Sequence, residues 1–291
     1  MKTYSEFYEE AKTKYGKNTE GHSQAGPEFD LYSFCMWHQK PEQKGIFTFS
    51  EDYLKNVNTL SEHIKNTIEI KENQLVPSVL KSISSSIPVK EPIIRYKNVW
   101  DLPGLEEICE ELIPQIESKI LGSHSYIYGL YAYRNKPCER KPRASWLWHY
   151  DNHPKETLKL MIYLTDTGED NGCFEVMSTK DNSVLKKPTL RIDDKKWESH
   201  HSRINSPELE ELKKSGYSPK KILGPKGTVC LFDNNIVHRA STAKVGYRDA
   251  VVLLLRPWHE KIRPYISKEY TGSNNHVDVF RDPSFFGVKR K

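Results

Sequence analysis

The chain has 291 residues, of which 36% are hydrophobic and 29% charged, so we expect a folded protein with a sizeable core. Its net charge of +5, from 44 basic and 39 acidic residues, is too small to indicate a nucleic-acid-binding protein. Five cysteines without a C-x-x-C spacing indicate neither a disulfide framework nor a zinc site. Without a signal-peptide core or an apolar run of ~18 residues, we expect a cytoplasmic protein that does not bind membranes.

The N-terminal part of the chain is predicted to be partly irregular and partly helical. Residues 1–48 have no clear period and are expected to form an irregular arm. Apolar residues then recur at three- and four-residue steps after Ser50, which predicts an amphipathic helix capped by this serine. A second helical pattern ends at Gly122, and Pro114 is expected to kink or split it.

After Gly122 the sequence becomes typical of short strands in series. The candidate strands are SYIYGLYAYR, ASWLWHYD, LKLMIYLTD, GCFEVM, GTVCLFD and RDAVVLLLRP. This order predicts an all-β core, a double-stranded β-helix (jelly roll, cupin-like), with flanking N-terminal helices. We expect one structural domain, in which residues 1–121 support a jelly-roll core at 122–260 and residues 261–291 form a tail.

A long polar stretch interrupts the predicted strands. It contains one convincing helix, SPELEELKKSG, with Ser206 as its cap, Pro207 in its first turn and Gly216 at its end. The insertion at 178–226 is therefore predicted to be a lid, a binding loop or a disordered segment, and we favour a closable lid over a small cavity.

His149 and Asp151 form the candidate metal-binding motif. They are two residues apart on a predicted strand, so both side chains should point to the same face. Two histidines and one carboxylate suit iron(II) and leave half of the coordination sphere free. An H-x-D spacing alone is weak, since it recurs at His276-Val277-Asp278, which we assign to a surface loop. His238, which follows the strand GTVCLFD, is the candidate third ligand.

Arg248 follows His238 by ten residues and opens the last predicted strand. A hairpin of that length would bring Arg248 onto the strand beside the histidine and into the same cavity. A guanidinium there can hold a carboxylate through two parallel hydrogen bonds. The alternative is a structural salt bridge to Asp249 or Asp233. Arg256 is a competing candidate, although its place at the end of the strand predicts a rim position.

The segments HYD, LKLMIYLTD, EDNGCFEVM and FDNNIVHRAS, followed by Arg248, resemble the phytanoyl-CoA dioxygenase family over about residues 122–258. The resemblance implies that His149, Asp151 and His238 bind Fe(II) and that Arg248 binds the far carboxylate of 2-oxoglutarate. It further implies O2 as a reactant, stimulation by ascorbate, and hydroxylation of a small molecule with succinate and CO2 as co-products. The family's Pro-Gly-Ser-His stretch is replaced here by MSTKDN, which affects any inference about the substrate.

Several further residues near the motif have two interpretations each. Tyr131 and Lys159 are predicted to contact 2-oxoglutarate if their side chains face inward, whereas Trp148 and Tyr150 are expected to pack on the opposite face. The basic residues around the core form either solvated loops or a dock for an anionic substrate. They are Arg134, Lys136, Arg140, Lys141, Arg143, Lys186, Lys187 and Arg191.

Other functions are also compatible with the sequence. The substrate could be a protein or peptide side chain instead of a small molecule, or the chain could be a jelly-roll binding protein without turnover. The complete His-Asp-His motif counts against the binding protein. Asp151 itself favours hydroxylation over halogenation, because the related halogenases carry a small residue at this position. The sequence does not predict an oligomeric state.

Overall fold

The computed structural model describes residues 35–38, 47–79, 93–96, 98–121, 124–137, 144–151, 158–187, 202–258 and 261–266. The helices are α1 (Tyr53–Val79), α2 (Leu105–Ile116), which continues as a π-helical turn (Glu117–Leu121), and α3 (Ser206–Lys214). Short 3-10 turns lie at Val99–Asp101 and Ala144–Trp146. The strands are β1 (Cys35–His38), β2 (Ile93–Arg95), β3 (His124–Asn135), β4 (Leu158–Tyr163), β5 (Phe174–Ser178), β6 (Ser218–Ile222), β7 (Val229–Asp233), β8 (His238–Ala240) and β9 (Arg248–Trp258).

The strands form two sheets. The larger has the order β1-β7-β4-β9-β3-β2 and the smaller the order β6-β5-β8. Every pairing between these strands is antiparallel. Two antiparallel sheets that enclose one interior are the architecture of a jelly roll. The predicted all-β core with flanking helices is therefore confirmed.

The outer face of the six-stranded sheet packs against α1 and α2. Alternate residues of each strand point to this face, as Val251, Leu253 and Leu255 of β9 do, and all three are completely buried. They share one apolar cluster with Leu60 of α1 and Leu112 of α2. The helices therefore cover the back of the sheet and leave its other face to the second sheet.

The inner face of the six-stranded sheet forms the interior of the roll together with the three-stranded sheet. Val252 of β9 and Phe232 of β7 contact a cluster that includes Phe174 and Val176 of β5. The rings of Phe174 and Phe232 stack with their centroids 4.5 Å apart. This apolar layer closes one part of the interior, and the candidate site lies beside it.

The N-terminal region differs in two respects from the prediction. Residues 35–38, which were assigned to an irregular arm, form the edge strand β1 on β7; most of the arm lies outside the described residues. Ser50, which was predicted to cap α1, donates from its hydroxyl to the Glu111 carboxylate of α2 at 2.7 Å. The hydrogen bond instead ties the chain before α1 to the second helix.

Two predicted helix ends are also corrected. Pro114 does not split α2, because it lies in the last α-helical turn, and the helix passes through it into the wider π-helical turn. The cap of α3 is Asn205 and not Ser206, since the Asn205 side chain accepts a hydrogen bond of 2.9 Å from the Glu208 backbone N–H. Gly216 has a φ of +87° just beyond this helix, where a glycine was predicted to end it.

The insertion at 178–226 is partly built into the smaller sheet. Its residues 218–222 form β6, which pairs with β5 along its whole length. This strand was missed because its sequence, SPKKI, is polar, as suits an edge strand. The lid predicted over 178–226 stays a prediction, because residues 188–201 lie outside the described residues, as do residues 267–291 of the predicted tail. Within the part of the chain that is described, no helix combines the length and apolarity needed to cross a membrane.

Candidate metal centre

The segment that carries His149 and Asp151 runs along the edge of the smaller sheet. His149 and His238 exchange two backbone hydrogen bonds, of 3.0 Å and 2.8 Å. The segment is not the regular strand that was predicted, because a 3-10 turn occupies residues 144–146 and His149 pairs only through isolated bridges. The bridge nevertheless places the two imidazoles side by side on one face, with their ring centroids 4.4 Å apart.

The side chains of His149, Asp151 and His238 form one compact cluster. The Nε2 atom of each histidine lies 3.7 Å from a different oxygen of the Asp151 carboxylate. One ligand atom from each residue lies within 4.8 Å of the others, which is close enough to share one metal ion. Two imidazole nitrogens and one carboxylate oxygen on one side of an ion are the donor set of the facial triad. The three predicted ligands are thus brought together.

Backbone groups orient the two imidazoles and hold the main chain at Asp151. The Nδ1 atom of His149 lies 2.7 Å from the Leu147 carbonyl oxygen, and that of His238 lies 2.8 Å from the Ile236 carbonyl oxygen. A carbonyl oxygen only accepts, so Nδ1 carries the proton and each Nε2 lone pair is directed into the cluster. The backbone N–H of Asp151 donates to a further backbone carbonyl oxygen, at 3.0 Å. The donor atoms are therefore positioned before any ion binds.

Burial keeps both imidazoles neutral. It lowers the pKa of His149 to about 4, against the opposing attraction of Asp151. Burial, together with repulsion from His149, holds the pKa of His238 well below its usual value. Neutral imidazole is the form that binds a metal, so neither ligand has to lose a proton near pH 7.

Lys159 faces the cluster from the larger sheet. Its ammonium group forms an ion pair with the Asp151 carboxylate, and both side chains are largely buried. The inward orientation on which its predicted role depended is therefore present. Its partner is the aspartate of the candidate metal centre.

Arg248 lies in the same interior, and its guanidinium is incompletely paired. Its side chain is almost completely buried, and Nη2 donates to the Tyr133 hydroxyl at 3.4 Å. Nε and Nη1 have no hydrogen-bond partner. The two aspartates considered as salt-bridge partners are engaged elsewhere, because Asp249 binds Arg134 and Asp233 binds Lys186.

The route by which Arg248 reaches the interior differs from the prediction. Arg248 was expected on the strand beside His238, but β8 belongs to the smaller sheet and β9 to the larger. The arginine and the histidine thus face each other from opposite sheets, since the chain between them crosses the roll instead of forming a hairpin. The tyrosines 133 and 163 flank the guanidinium, with ring centroids 5.6 Å and 5.7 Å from its Cζ.

Three other aromatic predictions can be placed. Tyr131 is half-buried on the inner face of β3, where it packs against Tyr126, Tyr128 and Leu254. Trp148 and Tyr150 point away from the metal cluster and pack beneath α3, so their predicted packing role is confirmed. The latter two therefore fix the segment from its outer side.

The predicted roles of several charged residues are wrong. Arg256 is buried and lies over the Tyr128 ring at 4.5 Å, and is not at an exposed rim. Arg134 was placed in a basic run that could dock an anion, but it forms a bidentate pair with buried Asp249. Lys186 and Lys187 also form ion pairs with acidic side chains. Arg140, Lys141, Arg143 and Arg191 lie outside the described residues, so the dock for an anionic substrate stays a prediction.

One residue beside the cluster was missed. Arg203 lies opposite His149 in an antiparallel bridge, on the side away from His238. Its sequence context, a polar insertion without a period, gives no signal of this position. The second H-x-D spacing, at His276, lies outside the described residues.

A jelly roll that holds two histidines and one aspartate in its interior provides the metal site typical of the non-haem iron(II) oxygenases. The chain is an enzyme of this class. Residues 131–245 match the family described as phytanoyl-CoA dioxygenase (PhyH). This match supports the resemblance seen in the sequence over that part of the chain.

Individual relatives are distant. An L-proline trans-4-hydroxylase from Streptomyces griseoviridis is 22% identical over 205 residues, which are 63% of this chain and 75% of that protein. AviO1 from Streptomyces viridochromogenes Tue57 is 17% identical, with a TM-score of 0.48 over 81% of this chain and 94% of that one. EctD from S. alaskensis with bound Fe is 19% identical, with a TM-score of 0.49 over 82% and 78% of the two chains.

Proposed function

We propose that the chain is an Fe(II)- and 2-oxoglutarate-dependent hydroxylase of a small molecule. His149, Asp151 and His238 bind the iron through Nε2, a carboxylate oxygen and Nε2. Arg248 binds the far carboxylate of 2-oxoglutarate. The bound iron supplies O2 activation coupled to the conversion of 2-oxoglutarate to succinate and CO2, with ascorbate as a stimulant.

The observation that carries the proposal is the buried Arg248 guanidinium in the same interior as the three ligands. A buried cation is costly unless an anion and hydrogen-bond acceptors accompany it. Two of its nitrogens have no partner, and no carboxylate of the described residues forms an ion pair with it. A dicarboxylic acid that reaches from the metal ion to Arg248 supplies the missing acceptor.

The remaining residues of the site have binding and orienting roles in this proposal. The Tyr133 hydroxyl accepts from Arg248 Nη2 and holds the guanidinium in place. Lys159 lies close enough to Asp151 to contact a ligand at the metal, and Tyr131 contributes to the interior wall. Both are proposed contacts of 2-oxoglutarate. The apolar layer around Phe174 and Phe232 excludes water from one side of the site.

The small-molecule substrate is supported by two observations. The relative from Streptomyces griseoviridis is an L-proline hydroxylase, which acts on a free amino acid. The candidate ligands are at most about one fifth exposed, as suits an enclosed site. We propose a cytoplasmic location, which agrees with Cys109, Cys173 and Cys230 being buried free thiols.

The test is the release of succinate from 2-oxoglutarate by the protein with Fe(II) and ascorbate, in the absence and presence of candidate metabolites. Asp151→Ala is the blank, because it removes one ligand and leaves two imidazoles. We expect slow succinate release by the wild type, stimulation by the true substrate, and no release above the metal-free level by the variant. Binding of 2-oxoglutarate without any succinate would instead identify a binding protein.

A further inference from the structure

Arg203 occupies the edge of the metal centre opposite to His238. The Tyr150 N–H donates to the Ser202 carbonyl at 3.1 Å, and the Ile204 N–H donates to the Trp148 carbonyl at 3.0 Å. These two bonds enclose the bridge between His149 and Arg203. Residues opposed in an antiparallel bridge project to the same face, so the Arg203 side chain extends on the face of the metal ligands.

The row of residues across the smaller sheet confirms that this face is the interior. His149 is bridged to His238, which is paired with Val176 of β5. Val176 is completely buried in the cluster that fills the roll. Neighbouring chains in a sheet lie about 4.8 Å apart, so Arg203 is one such step from His149.

The charge of Arg203 has no counter-ion among the described residues. Among the described residues, no carboxylate forms an ion pair with it, and its Nη1 is buried without a hydrogen-bond partner. Burial lowers the pKa of the guanidinium, and the charge of Asp151 opposes this shift. The side chain is only partly buried, so a ligand entering the site can reach it.

Arg203 and Arg248 lie on opposite sides of the metal centre. Tyr163, which flanks Arg248, accepts from the Phe174 N–H of β5 and donates to the Ile222 carbonyl of β6. Arg248 therefore lies against the β5 and β6 side of the smaller sheet. Arg203 lies at the other edge, beyond His149. An anion bound there is distinct from the far carboxylate of 2-oxoglutarate.

We propose that Arg203 binds a carboxylate of the primary substrate, so that the enzyme oxidises a small carboxylic acid. The inference rests on the proposed function of the metal centre and names the substrate class of that site. A planar guanidinium matches a carboxylate through two parallel hydrogen bonds. One guanidinium balances the single charge of a carboxylate, whereas a dianionic phosphate would keep one charge uncompensated. The charge balance therefore favours a single carboxylate.

The experiment compares acids with their amides. L-proline, L-leucine, L-lysine and hexanoic acid, each against its amide, are titrated calorimetrically into protein loaded with Zn(II) and 2-oxoglutarate, which cannot turn over. We expect at least one acid to bind tighter than its amide by roughly 10- to 100-fold, the effect of charge-assisted hydrogen bonds. Arg203→Met should remove most of this preference, and Arg203→Lys should keep part of it.

Lys180→Ala is the matched control, because it removes one exposed positive charge from the same insertion. It should leave the preference for acids unchanged. The variants at position 203 should fold, since the two hydrogen bonds that enclose the bridge are made by backbone atoms. Thermal melting of each variant checks this directly.

The inference would be overturned if the wild type bound acids no tighter than their amides, or if Arg203→Met kept the full preference for acids. It would also be overturned if Arg203→Met lost affinity for 2-oxoglutarate while it still bound the acid. The last result would assign Arg203 to the co-substrate. Failure of the proposed function appears in a different measurement, namely the absence of 2-oxoglutarate binding to the metal-loaded wild type.

Discussion

Arg248 and Asp249 begin the same strand and point to opposite faces of the larger sheet. Asp249, on the outer face, accepts hydrogen bonds of 2.7 Å from both Nε and Nη2 of Arg134. Both side chains of this pair are almost fully buried. Arg248, on the inner face, is buried to the same degree, but two of its nitrogens have no partner.

The difference between these two buried arginines separates a structural charge from a binding charge. The outer pair is complete within the protein, where each group satisfies the other at good geometry. The inner arginine is satisfied only when a ligand from outside supplies an acceptor. The pair on the outer face therefore stabilises the fold, whereas the arginine on the inner face belongs to a site that is completed when a ligand binds.

The largest expected effect is on the outer pair. Asp249→Ala leaves the Arg134 guanidinium buried without its counter-ion, which should lower the free energy of unfolding by about 3–5 kcal/mol. Urea denaturation measures this loss. The double variant Arg134→Met/Asp249→Ala removes both charges and should recover most of the stability. A single variant within about 1 kcal/mol of the wild type would contradict the structural role of the pair.

The second prediction concerns Arg248, the arginine on the inner face of the sheet. Arg248→Met removes an unpaired buried charge, so the free energy of unfolding should not fall. The affinity for 2-oxoglutarate should fall roughly 30-fold or more, which corresponds to about 2–5 kcal/mol of binding free energy. Calorimetric titration of 2-oxoglutarate and urea denaturation on the same preparation give both quantities. Retained affinity together with a large loss of stability would make Arg248 a structural residue like Arg134.

The smallest effect extends the comparison to the smaller sheet, whose outer face packs against α3. Asn205→Ala removes the side-chain cap of α3 and should cost about 1 kcal/mol of unfolding free energy, with no change in 2-oxoglutarate affinity. Ser206→Ala is the matched control and should change stability by less than about 0.5 kcal/mol. If both variants lost the same amount of unfolding free energy, Asn205 would not be the main cap of α3.

Much of the fold could be predicted because its strongest signals are apolar and periodic. The segment RDAVVLLLRP became β9, and the apolar stripe after Ser50 became α1. The polar strand β6 was missed, since an edge strand needs no buried face. The segment ASWLWHYD was assigned to a strand, but tertiary packing places a 3-10 turn at its start, Ala144–Trp146.

The site was predictable where the chemistry requires particular residue types, and not where only the fold brings residues together. The ligand motif at 149 and 151 and the pairing with His238 could be read from the chain. The opposite-sheet approach of Arg248, the buried place of Arg256 and the position of Arg203 depend on how the strands cross. No local sequence pattern encodes those relations.

The most direct test of the central claim is anomalous diffraction at the iron edge from crystals prepared without oxygen in Fe(II) and 2-oxoglutarate. We predict one iron peak bound by Nε2 of His149, Nε2 of His238 and the Asp151 carboxylate, with the far carboxylate of 2-oxoglutarate on Arg248. Iron bound elsewhere, or a co-substrate that leaves the Arg248 guanidinium without a carboxylate, would contradict the account.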